Sequence, residues 1–317
     1  MIHLFSFASL LQLWFSRNFG MDWSVVREFV KSWFLDTTTS PTTMYVEYET
    51  PGADNVVLSS ISMFTAANDA KVVVNNVEDF ELRDEFMLAT RRNPGGDLDL
   101  LVSYKRGPFV TASFPSKLRR RDFHIADISE GQLMICVNHD SMLTNLYISN
   151  VPDDTKGVQF SLSLERVLYF YPEGSFPNSW LKDVGAETFI DIHRVGKLRG
   201  IYIASQFREA NATALTKTSV TPDDLVTVVT FDKGGEWKLI QPPRYDDEGQ
   251  SIDCQRSNGC SLHLSQRLSQ LYPINKTAPI LTSSSAPGII VATGVIGASL
   301  KGIFVIVLNY LRGICVH

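Results

Sequence analysis

Asp232 sits in the stretch TFDKGGEW, Thr230 to Trp237, which follows the apolar run LVTVV. A carboxylate two residues from a hydroxyl could do acid–base chemistry, with Asp232 as proton donor. It could equally tie off a turn, its oxygens accepting backbone N–H groups while Gly234 supplies a positive φ and Trp237 packs back on the sheet. A second copy decides between these uses. LWFSRNFGMDW carries Ser16, Asn18, Gly20 and Trp23 at the same spacing as Thr230, Asp232, Gly234 and Trp237. A catalytic carboxylate has no use for a copy in another repeat, so the turn tie is the expected role.

The other chemistry-bearing cluster is CQRSNGC. Cys254 and Cys260 flank a polar, glycine-containing loop that can close as a disulfide, which implies an oxidising compartment. A zinc site with His263 of CSLHL competes with that, but it lacks an evident fourth ligand. No metal site and no cofactor is expected. Cys136, within LMICV, reads as a buried thiol acting as a small hydrophobe. The chain has no G-x-S-x-G, H-E-x-x-H, P-loop or dinucleotide fingerprint, and Ser261 beside His263 is not a triad. No catalytic residue is therefore assigned.

Elements must position these groups. The 317 residues are 44% hydrophobic and 20% charged, enough for an ample core, and the net charge of −5 argues for no nucleic-acid partner. SKLRRR, Ser116 to Arg121, has no interleaved aromatics and reads as a solvated hairpin. Sequons at Asn211 and Asn275 are glycosylation candidates and agree with secretion. MIHLFSFASLLQLWF resembles a signal-peptide core without a basic n-region or a clear cleavage site. Ala286 to Leu311 is long enough to span a membrane, yet its glycines and β-branched runs favour strands broken by turns.

Apolar runs ending on a hydroxyl recur at Ser16, Ser60, Ser103, Ser149 and Thr230. The steps are 44, 43 and 46 residues, then 81, close to double. Short β-rich runs lie between the marks, among them TMYVEYE, AKVVVNNV and RGIYIAS. That period suits four-stranded propeller blades. The one stretch that could form an amphipathic helix is LHLSQRLSQLY.

These residues resemble the Vps10 domain of the sortilin receptors, and within that family its sortilin-related branch. ETFIDIHRVGKLRGIYIASQ, VVTFDKGGEWKLIQPP, CQRSNGCSLHLSQRLSQL and SAPGIIVATG carry the resemblance, in order and spacing. It spans residues 11–300; residues 1–10 read as an N-terminal extension and 301–317 as a divergent apolar tail, best explained as a truncation. The resemblance implies an all-β fold, an incomplete β-propeller with Asp-box turns, about half of a ten-bladed one. It also implies the lumenal or extracellular part of a type I membrane receptor of Golgi, endosome and cell surface. Peptides or propeptides, amyloid-type peptides among them, would bind in the tunnel, and trafficking adaptors would engage only a tail that this sequence does not contain. By position, the peptide contacts are Leu88 and Thr90 of DEFMLATR with Phe123 and Ile125 of RDFHIAD, each pair two apart and so on one face of its strand. Ordinary blade core is the competing role for all four. Where sortilin has an arginine that clamps a peptide carboxylate, this sequence has about Leu98. The alternatives are a sialidase-like glycosidase, which needs an arginine cluster and a Tyr/Glu or Asp/Glu pair, and an inactive truncated product.

Overall fold

The computed structural model describes residues 11–171, 188–264, 280–300 and 303–305, with breaks at 17, 53–54, 63–69, 130, 141–142, 153–156, 197, 209–220, 246–247, 284 and 293. The chain divides into two compact units, residues 1–114 with 151–159, and residues 115–150 with 160–317. Both are built from antiparallel up-and-down sheets, the blades of an incomplete β-propeller.

In the first unit, β1 (Leu13–Phe15) and β2 (Ser24–Arg27) form a hairpin. Strands β3 (Val30–Asp36), β4 (Thr43–Glu49), β5 (Val56–Ser62) and β6 (Lys71–Asn75) follow as one four-stranded sheet. A second contains β7 (Asp79–Arg83), β8 (Phe86–Arg92), β9 (Leu98–Tyr104) and β10 (Val110–Thr111). The two sheets stack face to face: Tyr45, Leu58 and Val74 of one meet Phe80, Met87, Ala89 and Leu101 of the other. On its other face the first sheet offers Met44, Val46 and Ile61 to Leu13 of β1. A sheet covered on both faces needs apolar residues at odd and even positions alike. That is why MYV and LLVS read as continuous runs rather than alternations.

In the second unit, β11 (Asp122–Ser129), β12 (Gln132–Asn138), β13 (Thr144–Ser149) and β14 (Phe160–Leu164) form one sheet. Strands β15 (Tyr169–Phe170) and β16 (Phe189–Ile190) pair with each other. They are followed by the sheet of β17 (Ile192–Arg194), β18 (Tyr202–Phe207), β19 (Leu225–Thr230) and β20 (Lys238–Leu239). The last elements are β21 (Ser261–Leu264), β22 (Ile280–Ser283), β23 (Ala286–Ala292), β24 (Gly294–Gly297) and β25 (Ile303–Val305). Met134, Cys136 and Leu146 pack on Tyr202, Ala204 and Val228. On the reverse of that sheet, Ile203 and Val229 meet Leu262, Leu264, Ile280 and Ile290.

The hydroxyl marks fall on equivalent strands. Ser60, Ser103, Ser149 and Thr230 lie in β5, β9, β13 and β19, each the third strand of its sheet. Within the long step from Ser149 to Thr230 the described residues form β14, the β15–β16 pair and the first three strands of the next sheet. Leu168 N–H bonds Ser205 O and Phe207 N–H bonds Arg166 O, so the segment leading into β15 bridges to β18 at Val167 and Gln206, while β15 and β16 form their own two-stranded sheet. The extra length falls at 172–187 and 209–220, outside the described residues.

Of the apolar stretch Ala286 to Leu311, the described residues form β23, β24 and β25, as its glycines and β-branched residues suggest, while 306–311 lie outside the described residues. No described helix is long and apolar enough to cross a membrane. LHL of the candidate helix is strand instead, because Leu262, His263 and Leu264 pair with β24; the rest of that stretch lies outside the described residues. SKLRRR is not a hairpin but an irregular connection from β10 to β11, its Leu118 N–H held by Ser116 Oγ.

Candidate functional site

The two glycine boxes share one hydrogen-bond pattern. The glycine N–H donates to the hydroxyl four residues back, Gly20 to Ser16 Oγ at 2.8 Å and Gly234 to Thr230 Oγ1 at 2.9 Å. Each hydroxyl donates in turn to the side-chain oxygen two residues on, 3.1 Å to Asn18 Oδ1 and 2.7 Å to Asp232 Oδ1. That oxygen also accepts the backbone N–H four residues further, from Asp22 at 2.8 Å and Glu236 at 3.0 Å. Phe19 and Lys233 stand at φ 57° and 62°, Gly20 and Gly234 at 91° and 88°. The carboxylate of Asp232 is thus spent on its own turn, and a neutral amide does the same work in the other copy.

Backbone bonding from Glu236 and the Thr230 hydroxyl hold the Asp232 carboxyl below its ordinary pKa of 3.8. A depressed carboxyl contributes stability that is present above 3.8 and lost as the pH falls through the lowered folded value. Asp232→Asn should therefore shallow the acid limb of a melting-temperature profile. An unchanged limb would show that the carboxylate has no such linkage.

The boxes differ in what the indole meets. Trp23 Nε1 donates to Gly20 O within its own turn at 2.9 Å. Trp237 Nε1 donates instead to Ser163 Oγ at 3.1 Å, and that hydroxyl donates to Gly234 O at 2.6 Å. Ser163, on β14 of the neighbouring sheet, thereby completes the second box. Nothing local in the sequence marks it, since it lies 71 residues from Gly234.

Among the four peptide-contact candidates, Leu88 is buried and Thr90 half-buried on β8, a central strand of its sheet, where they pair with Val102 and Leu100. They lie on the face opposite Met87 and Ala89, which fill the core between the sheets. Phe123 and Ile125 are likewise half-buried, on β11, the first strand of its sheet, paired with Val137 and Ile135. The two pairs belong to different compact units. Leu98 is buried at the start of β9. Arg92, its cross-strand neighbour, pairs with Glu78 through two 3.0 Å bonds.

Cys254 and Cys260 are joined in a disulfide with Cα atoms 5.3 Å apart. The zinc alternative fails because both thiols are used there and His263 is fully buried in β21, with Thr227 N–H on its Nδ1 at 3.1 Å. Cys136 is free and buried, and burial raises its thiol pKa. Asn211 and Asn275 lie outside the described residues. Two described tyrosine–carboxylate pairs are Tyr104, whose hydroxyl donates to Glu85 Oε2 at 3.1 Å with Lys105 rather than an arginine at 3.8 Å from that carboxylate, and Tyr202, whose hydroxyl donates to Asp127 Oδ2 at 2.5 Å, with Arg194 on Oδ1 at 3.2 Å. Tyr202 is 1% exposed and packed in the core, so its hydroxyl cannot reach a sugar. It ties β18 to β11.

The Sortilin-Vps10 family, described as sortilin, neurotensin receptor 3, matches residues 4–305. The human sortilin-related receptor is 39% identical over 298 residues, which cover 91% of this chain and 13% of that protein. The mouse VPS10 domain-containing receptor SorCS1 is 28% identical over 302 residues, 92% of this chain and 23% of its own length. Among solved structures, the β-propeller domain of the Trilobed protease from Pyrococcus furiosus overlaps 80% of this chain and 83% of its own. Its TM-score is 0.37 at 10% identity.

Proposed function

The chain belongs to the Sortilin-Vps10 family, and from that premise we propose that it is a ligand-binding segment of a sorting receptor, taking peptides or propeptides through strand-face contacts without catalysis. Within a whole receptor, such a segment would select cargo for movement between Golgi and endosome from the lumenal or extracellular side. The chain spans only 13% of the length of the sortilin-related receptor.

The observation that carries this reading is on β11. Phe123 and Ile125 are half-buried apolar side chains two apart on an edge strand, while their partners Val137 and Ile135 are fully buried. An extended peptide laid along such a strand presents side chains at the matching period of two. With Leu98 at the position of the family's arginine, recognition rests on these apolar contacts rather than on a C-terminal carboxylate.

Calorimetry with propeptide-derived peptides, on the chain and on Phe123→Ala and Ile125→Ala, tests it. Each truncation should weaken binding about tenfold, equivalent to ~1.4 kcal/mol, with little change in melting temperature. Leu88→Ala should instead lower the melting temperature, because Leu88 is buried within its sheet. Undiminished binding by both β11 variants would remove that strand from the site. Turnover of sialosides or aryl glycosides by the chain would overturn the non-catalytic reading altogether.

A further inference from the structure

A buried imidazole and a threonine hydroxyl together join β19 to β21 along one seam. His263 is fully buried, and its Nδ1 accepts the Thr227 N–H at 3.1 Å. That acceptor role fixes the neutral tautomer, with the proton on Nε2, which faces Gly297 O at 3.0 Å and Ser261 Oγ at 3.1 Å. Beside it the Thr227 hydroxyl accepts from Leu264 N–H and donates to Leu264 O, both at 2.9 Å. Leu262 N–H bonds Ile240 O at 2.9 Å, and the apolar cluster of Ile203, Val229, Leu262 and Ile290 covers one side.

We propose that His263 is a proton-sensitive latch, which holds this seam shut while the imidazole is neutral and releases it when Nδ1 takes a proton. Protonation places two N–H donors against each other, Nδ1–H and Thr227 N–H, at a point that water does not reach. Thr227 N–H then has no acceptor unless the strands separate. Gly294 makes the joint tight. A Cβ there would stand 2.6 Å from His263 O and 2.9 Å from Leu264 Cδ2, so β24 lies close against the strand that carries the latch.

The charges around the ring do not rescue the cation. The charged group acting on it is the Arg208 guanidinium at the end of β18, which opposes protonation. The carboxylates at the foot of β19 are engaged elsewhere, Asp223 by Ser299 Oγ at 3.2 Å and Asp224 by Thr221 N–H and Oγ1. Burial, chiefly, and Arg208 lower the ring's pKa below its ordinary 6.5, against the opposing effect of Gly297 O. The opened state therefore binds the proton more readily than the closed one. The latch is at full strength above 6.5 and weakens as the pH falls from there toward the lowered closed-state value.

Amide hydrogen exchange on the full chain between pH 7.5 and pH 5 tests this, with rates corrected for the intrinsic pH dependence of exchange. The Thr227 amide should lose protection by about tenfold per pH unit below 6.5, the slope of a one-proton opening. Ile148, paired with Met134 in the neighbouring sheet, serves as reference and should stay level. In His263→Asn the side-chain oxygen stands near the position of Nδ1 and accepts without titrating, so Thr227 protection should become flat across the range. Three results would each overturn the latch: unchanged Thr227 protection in the unmodified chain, parallel loss at Ile148, or a retained slope in His263→Asn. The first two need no variant, so a poorly folding His263→Asn leaves the test intact.

Discussion

Arg106→Ala is expected to cost about 3–5 kcal/mol in denaturant unfolding, because it strands a buried carboxylate. The Asp36 side chain is 1% exposed and the Arg106 side chain 17%. Asp36 accepts from Arg106 Nε, from Thr38 N–H at 3.0 Å and from Thr38 Oγ1 at 2.6 Å. The same guanidinium bonds Asp84 O at 2.9 Å and Thr38 Oγ1 at 3.2 Å, which fixes the end of β3 to the second sheet of the first unit. Burial pushes the Asp36 pKa up, but the bonds from Arg106 and Thr38 outweigh it and hold the carboxyl below 3.8. The intact pair thus contributes stability present above 3.8 and lost as the pH falls through the lowered folded value. Without Arg106 only the two Thr38 bonds oppose the burial effect, so the variant should lose less stability than the intact chain as acid neutralises Asp36. Asp36→Asn in the Arg106→Ala background should recover much of the loss by removing the stranded charge. Arg106→Lys should not, since an ammonium cannot span the carboxylate, the Thr38 hydroxyl and the Asp84 carbonyl together. A single-variant loss under about 1 kcal/mol would mean that the pair is solvated and acts as an ordinary surface salt bridge.

Asp36 and Arg106 are 70 residues apart, and nothing in the local sequence announces the pair. That separation marks the limit of what could be read in advance. The boxes were legible because their bonds join positions one, three, five and seven of a single short segment, so spacing alone encodes the geometry. The strands were legible because apolar runs of five to seven residues bounded by turn residues have few other uses. The Cys254–Cys260 loop was legible for the same local reason. Legibility ended where register between sheets decides the partner. Ser163 looks like any polar residue of a strand, and only the packing of β14 against the Gly234 turn gives its hydroxyl an indole to accept from. Ser60 was a misleading mark in another sense: it lies inside β5, paired with Tyr45 and Lys71, rather than at a turn. His263 suggested a metal ligand from its nearness to cysteines and sat in the candidate helix LHLSQRLSQLY, and only the pairing of β21 with β24 makes it a satisfied core histidine. The site candidates on β8 and β11 came from family position and not from any pattern in the residues. Blade core and ligand contact ask for the same apolar side chains at the same period of two.

Within the second box, Gly234→Ala and Trp237→Ala should each cost about 2–4 kcal/mol, and Asp232→Asn less than about 1 kcal/mol. Gly234 stands at φ +88°, where a Cβ is strained, and that Cβ would lie 2.4 Å from Ser163 Oγ and 3.3 Å from Met134 Cε. The serine would have to turn away, abandoning both Gly234 O and the Trp237 indole, so one methyl group breaks a two-bond bridge between sheets. Trp237 is half-buried against the cluster of Met134, Leu164 and Val228, and its truncation removes packing as well as the bond to Ser163. Asp232 is different because its charge is dispensable. An asparagine oxygen can accept from both Thr230 Oγ1 and the Glu236 N–H, and Asn18 already makes the equivalent bonds at 3.1 Å and 2.8 Å in the first box. The protein thus contains its own control for that substitution. Equilibrium unfolding of the three single variants at neutral pH measures the order. If Asp232→Asn proved the most damaging, the carboxylate would have to serve something beyond its own turn, and the acid–base role set aside from the repeat would have to be reopened.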